Sequence, residues 1–396
     1  MKGVLSLGLQ IPVALLGTDI NGTSITHQPP VPPPSADKAA VIAAAEAINQ
    51  SHRPVILAGG GCRHAATAVQ QLAEAIDAPV LMTINARGVL PPEHPLSVPV
   101  SGTMNAARKA VADSDVVIAL GTELAATDYD QYKDDGFNIT GKLIRCDVDP
   151  MQLHNNFQAD VGVVADAGRF ANSLKQQITA QPRNGAQRSK LIVRSAQSEL
   201  TGEMQRHLSI LERIRHDYPE AIFAGDSTQM IYSTNLVFNT AQPGHWFNSS
   251  VGFGTLGYAL PAAIGAGIAK PSNPIICIIG DGGLQFVLGE LGALKDTGVP
   301  VAILVWRNQG YREIKTSMEQ AGVTSVGVEF TVPDYLQVAA AYGLPAVHVE
   351  DDNALHSALA SAFTRNEPVL IEIDEAGFMQ LQAYQLSRAN TCRICR

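Results

Sequence analysis

Short runs dominated by apolar, often β-branched residues recur along this chain without alternating with polar ones. They are Pro54–Ala58, Val80–Thr83, Val116–Leu120 and Leu143–Asp147, then Ala221–Ala224, Ile275–Ile279, Val301–Trp306 and Val369–Ile373. A strand that is apolar on both faces must be covered on both faces, which is the situation of a parallel sheet flanked by helices. Amphipathic stretches separate the runs, giving the strand–helix–strand rhythm of α/β proteins. The expected fold class is α/β, with two parallel-sheet, three-layer domains, the first of them Rossmann-like. A length of 396 residues accommodates this, at about 100–200 residues per domain. With 46% hydrophobic residues and 34 glycines the chain is not of a disordered type. Its 37 acidic against 28 basic side chains, a net charge of −9, speak against nucleic acid or an anionic membrane as partner. The 5 cysteines are too scattered for a disulfide framework, and the expected setting is reduced and cytoplasmic.

Residues 21–36 form the clearest linker, because prolines 29, 30, 32, 33 and 34 enforce an extended path. Asp37 then has the position of an N-cap before the Ala-rich run Lys38–Asn49. The expected division is 1–36 as the remnant of a preceding domain plus linker and 37–180 as a central domain. A linker or connecting helix over 181–203, a second α/β domain over 204–378 and a tail over 379–396 follow. The apolar stretch Val4–Gly17 after Met1-Lys2 has the outline of a secretory signal, but Gln10 and Pro12 interrupt it and no small-x-small site follows. It is too short to span a bilayer as a helix, and Val4–Val13 reads better as a buried strand. Cys392-x-x-Cys395 has no second pair or nearby histidine and reads as a frayed end.

The densest chemical signal is Ile276-Cys-Ile-Ile-Gly280-Asp281-Gly282-Gly283. An apolar strand ends there in Gly-Asp-Gly, and open parallel sheets bind ligands just beyond the carboxyl ends of their strands. Glycines allow the backbone close to a phosphate, and Asp281 has the hard oxygen that Mg²⁺ prefers. The next strand ends at Asn308-Gln309-Gly310-Tyr311, 27 positions after Asp281. One strand–helix–strand unit of that size returns the chain to the same side of the sheet. The Asp281 carboxylate, the Asn308 amide oxygen and a carbonyl near Gly310 are thereby candidate ligands of one ion. Simpler readings compete: Asp281 as a helix N-cap, Cys277 as core, His245 as a structural histidine. Gly59-Gly60-Gly61 invites comparison with a dinucleotide-binding loop, but His64 stands where the third glycine of that fingerprint belongs, so a tight strand–helix turn is the better reading.

Gly280-Asp281-Gly282 followed by Asn308, with Glu290-Leu291 and Val299-Pro300-Val301 between, resembles the cofactor signature of thiamine diphosphate-dependent enzymes. The nearest branch resembles acetolactate synthase large subunits and 2-oxoacid decarboxylases. Pro54–Gly61, Val116–Thr122 and Cys146–Pro150 resemble that family's middle domain, and Gly252–Gly265 resembles the segment holding the aminopyrimidine. By position, the resemblance implies that Asp281, Asn308 and the main-chain oxygen of Gly310 ligate Mg²⁺. It places Gly282, Gly283, Ser227, Thr228 and Gln229 near the diphosphate, Leu256 under the cofactor as an apolar wedge, and Gly254 with a carbonyl toward its amino group. The implied substrate is a small 2-oxoacid. The implied assembly is a homo-oligomer with clefts between subunits, or dependence on a separate pyrimidine-binding domain.

Departures from the pattern qualify this. Arg307 and Arg312 place two bulky cations near the site, where the family usually has asparagine and often glycine. Ser317 stands in place of a tryptophan of the acceptor pocket, and Glu123 in place of a flavin-contacting arginine, which makes FAD and acetolactate synthesis the less expected outcomes. Gly310–Lys315 is closer to decarboxylase-like members, including those for basic oxoacids. Glu313 is the carboxylate placed to act as proton donor, one position earlier than the family's, with an ion pair to Arg312 or Lys315 as the plainer alternative. The family's glutamate that protonates the aminopyrimidine belongs to a domain whose last strand resembles Leu7–Leu16, so a truncated, weakly active or inactive enzyme is expected. A non-catalytic cofactor-binding remnant or assembly partner is the alternative, and an unrelated Rossmann oxidoreductase the third reading.

Overall fold

A computed structural model describes residues 31–126, 129 and 136–379. The expected strand Val4–Val13 and the Cys392/Cys395 pair lie outside the described residues. The chain proceeds through α1 (Lys38–Gln50), β1 (Pro54–Ala58), α2 (Ala66–Ile76), β2 (Val80–Met82), β3 (Ser97–Val98), α3 (Asn105–Ala112), β4 (Val116–Leu120), β5 (Lys142–Asp147), β6 (Val161–Val164) and α4 (Ala167–Lys175). Helices α5 (Gly185–Glu199) and α6 (Gly202–Asp217) lead to β7 (Ile222–Gly225), α7 (Gln229–Asn235), β8 (Trp246–Asn248), α8 (Ala259–Ala269) and β9 (Ile275–Gly280). After them come α9 (Asp281–Gln285), α10 (Glu290–Thr297), β10 (Val301–Arg307), α11 (Arg312–Gln320), α12 (Tyr335–Ala341), β11 (Ala346–Val349), α13 (Asp352–Arg365) and β12 (Val369–Asp374).

The strands form two 6-stranded sheets, β3-β2-β1-β4-β5-β6 and β11-β12-β10-β9-β7-β8. Every pairing is parallel. The absence of alternation in the apolar runs is explained by where successive side chains go. In β1, Val55 and Leu57 enter one core while Ile56 and Ala58 enter another. In β9, Ile276 and Ile278 face one side while Ile275, Cys277 and Ile279 face the other. Both sides are packed, as the pleat of a doubly covered sheet requires. Cys62, Cys146 and Cys277 are buried free thiols in these cores, and burial pushes the Cys62 thiol up to about 12.

Helix α1 starts where Asp37 predicts: its carboxylate accepts from the N–H groups of Ala39 (2.8 Å) and Ala40 (3.2 Å). The opposite ends of α1 and α2 are closed by a single residue. Arg183 is buried and donates to Ile48 O (2.8 Å), Ser51 O (2.9 Å) and Ile76 O (2.8 Å). Helix ends leave such carbonyls short of partners, although Ile48 O also accepts from Ser51 N (3.0 Å). Where the sequence allowed a linker or a connecting helix, the chain forms α5, and Arg183 fixes its start against the first sheet.

Each sheet has a switch point, where consecutive crossovers leave in opposite directions. In the first sheet it lies between β1 and β4, and it is closed. Gly59 N donates to Leu120 O (2.9 Å) and Gly61 N to Gly121 O (3.0 Å). A Cβ on Gly59 would lie 2.3 Å from Gly121 O. Gly59 and Gly61 thus serve backbone contact, with their N–H groups already engaged. In the second sheet the switch point lies between β7 and β9, and there the strand ends stay apart. The loops after β2 and β3 reach across to the end of α7 and the segment after it: Arg87 Nη2 donates to Asn235 O (2.8 Å), Gly88 N to Asn239 Oδ1 (2.8 Å) and Ser101 N to Leu236 O (2.8 Å).

Arg183→Ala removes a donor from three buried carbonyls at two helix ends and is expected to cost about 2–4 kcal/mol. The check is a urea titration of both variants; a midpoint unchanged by the substitution contradicts the clamp.

Candidate functional site

The open switch point is lined by segments from four separate places in the sequence. Ser227, Thr228, Gln229 and Tyr232 come from the end of β7 and the start of α7, and Gly254 and Leu256 from the loop before α8. Gly280–Gly283 come from the end of β9, and Asn308 and Gly310–Ile314 from the end of β10 and the first turn of α11. All the residues named from the sequence as metal- or cofactor-binding, and Glu313 with them, therefore face one cleft.

Asp281 is its centre. The side chain is buried, with 1% exposure. Its Oδ1 accepts from Gly282 N (2.8 Å), and its Oδ2 from Asn308 N (3.1 Å) and Gln309 N (2.6 Å). Burial pushes the carboxyl above its ordinary value, while those three N–H groups and the charge of Arg307 pull it back. No ion pair to Asp281 is formed among the described residues. Gly280, not Asp281, is the N-cap of α9. The tie between Asp281 and Asn308 runs through the main chain of Asn308, which leaves the asparagine side chain outside this network. Tyr335 donates its hydroxyl to the Asp281 carbonyl, fixing the residue from behind.

The glycines here are required by their neighbours. A Cβ on Gly282 would meet the Tyr311 ring at 2.7 Å, and one on Gly310 would lie 2.5 Å from Val328 O. Gly310 bridges to Glu329, and Tyr311 packs on Phe330 with ring centroids 4.8 Å apart, so the turn after β10 is held from outside.

Asp226 has a role that the sequence reading did not give it. It is fully buried; Oδ1 accepts from Ser227 N (2.8 Å) and Oδ2 from Ala259 N (3.1 Å). Burial raises its carboxyl despite these bonds and those of the Gly257 and Tyr258 amides. Asp226 thereby anchors the loop that carries Gly254 and Leu256 to the end of β7. The signal was present: Gly225-Asp226 repeats, at a second strand end, the Gly280-Asp281 pair.

The unexpected arginines are both neutralised. Arg307 lies 3.6 Å from Glu372, and Arg312 lies 2.9 Å from Glu203 and 2.8 Å from Glu375. Lys315 pairs with Glu329. Glu313 takes neither of the ion pairs open to it and instead accepts from Gln229 Nε2 at 2.8 Å. Ser317 is exposed on α11, and His245 is buried, its imidazole pKa lowered by desolvation.

The donor set suits a hard divalent cation. A buried carboxylate bonded to N–H dipoles and with no cation in direct contact among the described residues gains from one, and its oxygens keep free lone pairs. Among the described residues, no helix is long and apolar enough to cross a membrane.

Comparison with known proteins agrees with this geometry. Residues 41–174 match the family model for the thiamine pyrophosphate enzyme central domain, and residues 226–373 that for the C-terminal TPP binding domain. Thiamine pyrophosphate is another name for thiamine diphosphate. A protein named as a probable 2-ketoarginine decarboxylase from Pseudomonas aeruginosa is 32% identical over 345 residues, covering 85% of this chain and 60% of that protein. An acetolactate synthase large subunit from Parasynechococcus marenigrum is 30% identical over 365 residues, covering 88% and 57%. The large subunit of acetolactate synthase isozyme 1 from Escherichia coli is 28% identical over 362 residues, covering 86% and 63%. The chain thus spans about three fifths of the length of such relatives. With both domain models matched and the glycine–aspartate cleft in the second of them, the chain belongs to the thiamine pyrophosphate enzyme family.

Proposed function

We propose that the cleft binds thiamine diphosphate through Mg²⁺ and serves the cleavage of a 2-oxoacid next to its carbonyl, with decarboxylation favoured over acetolactate synthesis. The observation that carries this reading is the convergence of Asp281, Asn308 and Gly310 with the segments at Ser227, Gly254 and Gly282 on one switch point. Asp281, Asn308 and the Gly310 carbonyl would hold the cation. Ser227, Thr228, Gln229 and the backbone at Gly282 and Gly283 would meet the diphosphate, while Leu256 offers an apolar wall and Gly254 a carbonyl. When bound, the cofactor supplies a nucleophilic carbon and an electron sink, which no side chain provides. The chain's own work is to orient the cofactor, exclude water along the Leu256 wall, and hold a proton at Glu313 at the mouth of the cleft.

A second reading concerns the substrate. Of the two acidic side chains lining the cleft, Asp281 is held by amides, and Glu313 at the mouth bonds only to a neutral amide. The nearby cations are taken by other carboxylates, so the mouth favours a positively charged group. A relative at 32% identity carries the name of a 2-ketoarginine decarboxylase. Together these support a 2-oxoacid with a cationic side chain.

Calorimetry with thiamine diphosphate and Mg²⁺ is expected to show saturable heat that chelation with EDTA removes. Asn308→Ala should lower the affinity without disturbing the Asp281 network, and Asp281→Asn should abolish the heat. Because protons compete with the cation at Asp281, binding should weaken on acidification, starting at a higher pH than for a carboxylate of ordinary pKa. Binding that is unaffected by both substitutions and by EDTA contradicts the metal assignment.

For Glu313, a panel of 2-oxoacids with and without a cationic side chain separates the roles. As proton donor, Glu313→Gln should slow every substrate alike, by about 10²–10⁴. A loss confined to cationic substrates, seen as a raised KM, makes Glu313 a recognition group instead. Heat of binding without turnover of any 2-oxoacid leaves the non-catalytic cofactor-binding alternative standing.

A further inference from the structure

Helix α11 carries Glu313 and Ile314 over the cleft, yet none of its residues is buried. A helix of nine residues is not stable in water by itself. Little apolar burial holds it, and Ile314 is 52% exposed. What holds it is polar: Glu313 meets Gln229, Lys315 pairs with Glu329, and one further attachment leads inward.

Arg312, the first residue of α11, lies 2.8 Å from Glu375 Oε2 and 2.9 Å from Glu203 Oε1. Glu375 follows β12 and is 5% exposed. Its Oε1 is 3.7 Å from Nε2 of His207, an α6 residue with no exposed surface. The other ring nitrogen of His207 is 3.0 Å from Ser233 Oγ in α7, and its ring stands edge-on to Trp306, with centroids 5.2 Å apart. A row of polar groups Arg312–Glu375–His207–Ser233 therefore runs from the mouth of the cleft, through the core, to the helix whose first turn lines the opposite wall; its Glu375–His207 step, at 3.7 Å, is an electrostatic contact longer than a hydrogen bond.

Glu203, His207 and Glu375 have ligating atoms within 4.8 Å of one another, a spacing that would suit a metal ion. The Arg312 guanidinium already bridges the two carboxylates, so the positive charge of this cluster comes from the chain itself. Burial alone would raise the Glu375 carboxyl; the ring N–H groups of His207 and Trp306 beside it and the Arg312 charge hold it below its ordinary value. It is thus a fixed anion inside the protein.

We propose that Glu375 and His207 are positioning residues: through Arg312 they seat α11 and so fix where Glu313 and Ile314 stand at the cleft. What the cleft binds rests on the functional reading above, but the seating does not, and it is measured without cofactor.

The test is hydrogen–deuterium exchange of the full chain, followed in the amides of residues 315–320 and, as an internal reference, in β9. Glu375→Gln is expected to speed exchange in 315–320 about tenfold with β9 unchanged. Arg312→Gln, at a partly exposed side chain whose loss does not threaten the core, should do the same. The double variant should be no faster than either single one, because both break one attachment. Arg312→Lys keeps the charge but loses the fork, and should fall between. Unchanged exchange in α11, additive effects, or exchange that rises equally in β9 would each overturn the proposal. Failure of the functional reading is a different result: no heat with thiamine diphosphate and Mg²⁺ from the unsubstituted chain.

Discussion

The site depends on a carboxylate that has no cation of its own. Asp281 is buried at the end of β9 and finds its direct compensation in N–H dipoles from Gly282, Asn308 and Gln309, with the charge of Arg307 acting from farther off. Two of these belong to the turn that follows β10. The end of β10 therefore bends over the end of β9, with Gln309 in the left-handed region at φ 64° and Gly310 pressed against Val328 O. Tyr311 and α11 start from that turn and are then held by Phe330, Glu329 and Glu375. Asp226 does the same work at the end of β7, where it gathers the amides before α8. Two glycine–aspartate corners thus flank the switch point, and a Cβ on Gly283 would come within 3.2 Å of the Asp226 carboxyl carbon.

Much of this was legible in the sequence, and the reason is local. Unbroken apolar runs such as Val116–Leu120 and Ile275–Ile279 state that both faces of a strand are covered, and parallel pairing follows from that. Asp37 before an Ala-rich run states where a helix begins. Asp281 and Asn308 were within reach of sequence reasoning because only two short helices and one strand separate them, and a right-handed crossover of that size has a single outcome. The form of their contact was not legible, since whether Asn308 meets Asp281 by its main chain or its amide depends on the dihedral angles of the turn.

What the sequence concealed were pairings over long separations. Arg312 looked like an intrusive cation because its partners, Glu203 and Glu375, lie on other elements, 109 positions away in the case of Glu203. Glu313 looked ready to pair with Arg312 or Lys315 on its own helix, yet both bases are satisfied elsewhere and Gln229, 84 positions distant, takes the carboxylate. The capping of two helix ends by Arg183 has the same character: Ile48 and Ile76 are nowhere near it in order. Helix periodicity and propensity carry no information about such contacts, which arise only when the layers close.

The two sheets repeat one architectural opportunity and treat it in opposite ways. Between β7 and β9 the strand ends diverge around side chains, whereas between β1 and β4 three glycines let one backbone lie directly on the other. Fitting a ligand into that second gap would mean prising apart main chains already bonded to each other, and no side-chain replacement at Gly59, Gly61 or Gly121 achieves that without collision. The switch point of the first sheet is thereby committed to bearing structural load, and of the two switch points only the seam between β7 and β9 is left able to take a ligand.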